Sequence, residues 1–187
     1  MKTKAVVGIV LLLGLLATNV PAEEQQAEQM PPMGAPEQMK KIAFLEGTWD
    51  VAMEWRNDED TSVWDKSTAE CTYKSILDGC AMQMIFTGAM MDMPFQGYML
   101  QSFDREKNEW QALWIDNMGG RMTLYTGSEE KDGTVLTAKD VWQGQKFLSR
   151  MTTLNESPGS FDWTMETSFD NGQNWLLVGT ARYVKRQ

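Results

Sequence analysis

From Gly47 to Tyr183 the chain repeats one pattern, apolar side chains at every second position in short runs separated by turn-forming residues. Trp49, Val51, Met53 and Trp55 alternate with Asp50, Ala52 and Glu54, which is how a strand with one face in a core is written. The same reading gives Ala69-Cys71-Tyr73, Cys80-Met82-Met84-Phe86, Tyr98-Leu100, Trp110-Ala112-Trp114 and Met122-Leu124. It continues with Val135 to Val141, Phe147 to Thr153, Phe161-Trp163-Met165 and Trp175-Leu177-Gly179-Ala181-Tyr183, for about ten strands. Between them fall Asn57-Asp58, Asp78-Gly79, Lys107-Asn108, Gly119-Gly120, Lys131-Asp132-Gly133, Gln143-Gly144, Ser157-Pro158-Gly159 and Asp170-Asn171-Gly172, all turn formers. Connections this short join antiparallel neighbours and leave no room for crossover helices. The fold class expected is all-β, an antiparallel up-and-down barrel, with an open sandwich as the alternative.

The barrel is one part of the chain. Lys2 and Lys4 precede an apolar run from Ala5 to Ala17, and Val20-Pro21-Ala22 supplies small residues for a signal peptidase, so residues 1–22 read as a signal peptide. That run is too short to cross an apolar layer of about 30 Å, and the mature product is expected to be soluble and exported, periplasmic or secreted, without stable membrane insertion. Residues 23–36, rich in Glu, Gln, Met and Pro and without periodicity, read as a flexible leader. Residues 37–187 form the barrel domain, opening with a short helix in which Met39, Ile42, Ala43 and Leu45 share a face and which ends at Gly47. Cleavage would remove two of 17 basic and none of 26 acidic residues, taking the net charge from −9 to −11, which argues against nucleic acid and anionic lipid as partners. Export places Cys71 and Cys80 where a disulfide could form, but a two-residue turn at Asp78-Gly79 would set them about 20 Å apart, leaving a bridge or two buried thiols as open alternatives.

Histidine is absent, which removes Ser-His-Asp and Cys-His relays, His-bearing zinc sites and proximal-His haem. No cofactor is expected, and oligomeric state stays open. Acid–base chemistry would fall to carboxylates such as Asp104 and Asp116, with Asp140 and Glu166 as isolated outward acids, and nothing has the spacing of a nucleophile with its base. Catalysis is therefore the weakest reading.

The segment Phe44-Leu45-Glu46-Gly47-Thr48-Trp49-Asp50 resembles the Gly-x-Trp opening of lipocalin-like barrels, where a short helix leads into the first strand and the Trp plugs the closed end. That resemblance implies structural roles for Gly47 and Trp49, and for Arg182 on the last strand, packed across the Trp ring. Leu45 to Trp49, Ile76-Leu77-Asp78-Gly79, Pro94-Phe95-Gln96-Gly97, Phe103-Asp104 and Trp114-Ile115-Asp116-Asn117-Met118 are similar to an uncharacterised bacterial family, domain of unknown function 1579. The chain departs from that pattern at Asp78-Gly79-Cys80, where two glycines followed by Arg are expected. Ser168 to Trp175 resembles the Asp-box of sialidase-type propellers, but no second copy or internal period exists. The segment reads instead as a hairpin in which Asp170 caps turn amides, Gly172 takes a positive φ and Trp175 packs beneath.

Function is then expected in the barrel lining. Met82, Met84, Phe86, Trp110, Trp114, Met151 and Trp163 offer an apolar wall, and Asp116 and Asn117 stand at the mouth where the Trp110–Trp114 strand ends. The expected partner is a small hydrophobic molecule held noncovalently. One alternative is a filled core with a structural or interaction role, in which Asp116 and Asn117 cap a turn. Another is Cu(I) held by thioethers, since Met30-x-x-Met33 and Met90-Met91-Asp92-Met93 have the spacing of soft-metal clusters, with Met90, Met91 and Met93 as ligands.

Overall fold

A computed structural model of the protein describes residues 33–57, 60–90, 93–131 and 133–187. The expected signal peptide, most of the leader, Met30, Asp58, Met91, Asp92 and Asp132 lie outside the described residues.

Ten strands run β1 Gly47–Arg56, β2 Trp64–Ile76, β3 Ala81–Met90, β4 Met93–Asp104, β5 Glu109–Asp116, β6 Thr123–Glu130, β7 Gly133–Trp142, β8 Gln145–Ser157, β9 Ser160–Ser168 and β10 Leu176–Lys185. Each pairs antiparallel with the next, and β10 returns to pair with β1, closing an up-and-down barrel in chain order. Closure leaves no unpaired strand edge, which is how an all-antiparallel sheet of this size avoids edge-to-edge association. Residues 37–45 form a 3-10 helix with Met39, Ile42 and Leu45 buried. Their spacing of three residues matches the three-residue turn of that helix, which puts them on one line against the barrel. Gly47, at φ 128, makes the sharp exit into β1, and a Cβ there would meet the Lys185 side chain at 3.0 Å.

The helix plugs one end. Trp49 is fully buried, its indole N–H donating to the Leu45 carbonyl at 2.6 Å. Phe161 lies 5.1 Å from the Trp49 ring and stacks on Tyr183 at 4.2 Å, Tyr73 and Phe44 close the cluster edge-on, and burial holds the Tyr73 and Tyr183 phenols well above their usual titration range.

Arg182 does not pack across Trp49. Strand parity decides this: Ala181 and Tyr183 face inward, so Arg182 faces out, where it pairs with Asp162 at 2.8 Å and donates to Ser160. Lys185, two residues past Tyr183 on the inward side, takes the place over the Trp49 ring at 5.4 Å and donates to the Phe44 carbonyl at 2.8 Å.

Three other expectations need correcting. The β2–β3 connection is a four-residue loop, with Ile76 paired to Ala81 and Leu77, Asp78 and Gly79 all at positive φ. Cys80 sits in that loop while Cys71 pairs with Phe86 inside the barrel, and both thiols are free. In β4 and β6 the inward face carries Phe95, Gly97, Met99 and Gln101, then Thr123 and Tyr125, so Tyr98, Met122 and Leu124 point outward. Asp140, taken as an isolated outward acid, shares the parity of buried Ala138 and is ion-paired to Arg121 at 2.7 Å.

The β9–β10 hairpin has the expected build. The Asp170 carboxylate accepts from the Asn174 backbone N–H at 2.9 Å, the Asn174 side chain and the Ser168 hydroxyl, Gly172 takes φ 88, and the Arg150 guanidinium stacks 3.9 Å over Trp175. Those donors stabilise the charged form and hold the Asp170 carboxyl at about 2. An unfolded Asp titrates at about 3.9, so this contribution is complete above about pH 4 and lost as pH falls through 2. Asp170→Asn is therefore expected to differ most from the parent above pH 4 and to converge with it only below pH 2, in acid unfolding followed by circular dichroism.

Candidate functional site

The two halves of the barrel are packed differently. In the plugged half, Met82, Met84 and Trp110 are buried, Trp110 lying edge-on to Phe103 at 5.3 Å and donating to Glu129 at 3.3 Å. Phe86, farther along β3, is buried against Phe95. These four expected lining residues are core packing and present almost no surface to a ligand. Toward the other end the inward positions hold Trp55, Met90, Trp114, Met151 and Trp163, which lie against the core but are only half-buried. Trp114, Met151 and Trp163 are thus brought together with Trp55 and Met90, two residues missing from the expected lining.

Glycines make room for two of these indoles. A Cβ on Gly97 would stand 2.0 Å from the Trp114 ring, and one on Gly179 would stand 2.6 Å from the Trp55 ring. Trp114 stacks on Phe95 at 6.3 Å and donates to Asp116 at 2.8 Å. Trp55 meets Trp163 edge-on at 5.8 Å. The indole wall is therefore fixed by cross-strand glycines, which sequence periodicity alone does not reveal.

Asp116 and Asn117 are consumed by the turn. The second Asp116 oxygen accepts from the Met118 and Gly119 amides at 3.0 and 2.6 Å. Asn117 bridges to β4, accepting from the Gln96 amide and donating to the Pro94 carbonyl. Asp104 and Asp116 lie at opposite ends of the β4–β5 hairpin and form no pair. Beneath the mouth, the buried Tyr125 hydroxyl and Ser149 Oγ share a hydrogen bond at 3.0 Å, and burial raises the Tyr125 phenol. Met90 and Met93 oppose each other across the β3–β4 hairpin, Met91 lies outside the described residues, and Met33 is exposed far from them in sequence.

The rims also differ. Around the open end, the strand termini and connections expose Val63, Met93, Met118, Met122, Trp142 and Phe169. At the plugged end the connections carry Arg105, Glu106, Lys107 and Asn108, Glu129 to Lys131, and Asn155 with Glu156, with exposed Leu77 the apolar exception. A groove of about 790 Å³ crosses β2, β1, β10 and β9 between the Glu54–Lys66 and Asp162–Arg182 ion pairs. Its lining takes in outward-facing Ala52, Thr68, Thr164 and Thr180 together with inward-facing Met53, Ser67, Trp163 and Ala181, of which Met53 and Ala181 are 4% and 7% exposed.

The fold is shared with solved proteins of very different sequence. Rv2717c from M. tuberculosis is 9% identical with a TM-score of 0.58, covering 82% of this chain and 99% of that one. An S-type phycobiliprotein lyase, CPES from Guillardia theta, is 9% identical with a TM-score of 0.53, covering 79% of this chain and 92% of that one. Both likenesses are to lipocalin-like barrels. Comparison with curated protein sequences gave no match. The sequence does match a family model over residues 36–178, which includes all of β1 to β9, and the chain belongs to that family, described as a protein of unknown function (DUF1579).

Proposed function

We propose that this protein binds a small, predominantly apolar molecule noncovalently in the open half of its barrel. One observation carries the reading: the plugged half is sealed around Trp49, while the inward-facing Trp55, Met90, Trp114, Met151 and Trp163 of the other half retain accessible surface beneath an apolar rim. Large apolar groups left half-open in a concave, mostly preformed site are the usual composition of a small-molecule pocket. The exposed rim gives such a molecule an apolar path to the mouth. That the phycobiliprotein lyase has the same fold is compatible with small-molecule chemistry in such barrels and specifies no ligand here. The basic, apolar and small-residue segments before Glu23 support export, so the ligand would be met outside the cytoplasm.

The test is a titration of protein recovered from the cell envelope or medium, with Glu23 expected as its first residue, against a neutral polarity-sensitive dye such as Nile red. A saturable rise in dye emission is expected. Trp163→Ala should weaken binding at least ten-fold, about 1.4 kcal/mol, while Thr164→Ala on the outer face of the same strand leaves it unchanged. A flat response to the dye and to chemically varied apolar ligands would overturn the reading.

A further inference from the structure

We propose that the molecule held in the open half ends in a positively charged nitrogen, an ammonium on an apolar body, which seats at the mouth on Asp140 Oδ2 beside the rings of Trp142 and Phe147. This rests on the pocket reading above and names the chemistry of its ligand. The Asp140 carboxylate is engaged through one oxygen. Arg121 Nε and Nη2 lie 2.9 and 2.7 Å from Oδ1, and the Val141 amide donates to the same oxygen at 2.7 Å. Oδ2 accepts nothing, yet it is not closed off from solvent as the unpaired Trp55 Nε1 and Ser67 Oγ are. Asp140 shares the inward parity of Leu136 and Ala138, so this bare oxygen belongs to the inner side of the mouth.

Aromatic rings stand beside it. β7 and β8 set Phe147 directly opposite Asp140, and Trp142 follows two residues on at the same face. Opposed residues of an antiparallel pair are about 4.5–5.5 Å apart, and positions i and i+2 of a strand about 7 Å apart, both within reach of one bound nitrogen. Trp142 is 53% exposed, and Phe147 is half-buried with Phe169 at 5.8 Å. A carboxylate oxygen with open ring faces around it suits an ammonium: the oxygen takes the N–H and the charge, and the rings attract the cation.

The charges facing the mouth have the matching sign. Asp65, Asp116 and Asp140 take inward positions, and among the described residues no Lys or Arg takes an inward-facing strand position in the open half. Arg121 compensates one of the three, while Arg56 faces outward over Trp64 and donates to the Leu177 and Thr61 carbonyls. Asp116 has both oxygens engaged by Trp114 and the turn amides, and the exposed Asp65 accepts from Asn57. Of the three, Asp140 joins a bare oxygen to a side chain only 13% exposed. An anion entering here would lose its water among like charges, whereas an ammonium exchanges water for an opposite one.

Isothermal titration of the full mature chain at neutral pH with 2-(aminomethyl)naphthalene, 2-(hydroxymethyl)naphthalene and 2-naphthoate separates the possibilities on one ring skeleton. The ammonium should bind at least about ten-fold tighter than the alcohol, with the carboxylate weakest. Raising the salt from about 0.01 to 1 M should shrink that preference, because the screening length falls from about 30 to about 3 Å. Asp140→Asn should bring the ammonium to within about three-fold of the alcohol, while Asp162→Asn, which removes the same charge from the outer wall, leaves the preference intact. Arg121→Gln should act the other way, unpairing Asp140 and tightening the ammonium at least about two-fold, an effect that no loss of fold could mimic. Equal binding of ammonium and alcohol, a preference that survives Asp140→Asn, or weaker ammonium binding by Arg121→Gln overturns this inference and leaves the pocket standing. Binding of Nile red in a Trp163-dependent way, with none of the three naphthalenes bound, overturns it in the same manner. A flat response to all four compounds overturns the pocket as well.

Discussion

Trp49→Ala is expected to remove about 3–5 kcal/mol of stability, the range for emptying a fully packed aromatic site, out of the roughly 5–15 kcal/mol that holds a domain folded. The magnitude follows from what the indole joins. Its N–H satisfies the Leu45 carbonyl at the end of the 3-10 helix, and its ring meets Phe44 from that helix, Tyr73 from β2 and Phe161 from β9. Lys185 from β10 lies over it and ties back to Phe44, so the plug and the β1–β10 closure share one side chain. Alanine would leave a cavity bounded by four elements, none of which can collapse into it without breaking ladder hydrogen bonds. Trp49→Phe, which keeps a ring and loses the N–H, should cost less than half as much. Lys185→Met, which keeps the aliphatic stem, should cost about 1 kcal/mol or less, the scale of a partly exposed cation–π contact. Urea unfolding followed by far-ultraviolet circular dichroism measures all three. A loss below about 1.5 kcal/mol for Trp49→Ala would mean that the plug is not a packed part of the domain.

Most of the architecture was legible because a closed antiparallel barrel is a local fold. Each strand pairs with its sequence neighbour, so alternation and turn residues carry nearly all the information. What alternation does not carry is which face is inner when both alternate sets contain apolar residues. At β6 the apolar Met122, just before the strand, and Leu124 within it lie outside and Thr123 with Tyr125 inside, because the register of β5 and β7 dictates parity and hydrophobicity at that strand does not. The same limit explains Arg182: its chemistry suits the Trp49 ring, but one residue of parity sends it to Asp162 and gives the contact to Lys185.

The candidate site was harder to read for a different reason. Met84 and Trp114 look equivalent as inward apolar residues, yet one is sealed and the other half-open, since that depends on which end the 3-10 helix plugs. Trp55 stands at the parity of Trp49, six residues along β1, and was readable as lumenal. That its N–H lacks a partner depends on Gly179 and Trp163, residues more than a hundred positions away.

Gly97→Ala should damage the open half more than any other single methyl, and the reason gives the experiment its sign. The added carbon would sit 2.0 and 2.4 Å from two carbons of the Trp114 ring, so the indole must swing away. In leaving it gives up both its stack on Phe95 and its hydrogen bond to Asp116. Overpacking of this kind costs about 1–3 kcal/mol. Nile red binding should fall at least ten-fold, because one of the wall's indoles is displaced into the mouth. The double-mutant cycle isolates the cause. Once Trp114→Ala has vacated the space, adding Gly97→Ala meets no ring, and alanine in a strand interior is favoured over glycine by roughly 0.5–1 kcal/mol. The same substitution should therefore destabilise the parent and leave the Trp114→Ala background unchanged or slightly stabilised. If Gly97→Ala costs as much without the indole as with it, the glycine answers to the backbone and not to the ligand wall, and Trp114 loses its place in the site.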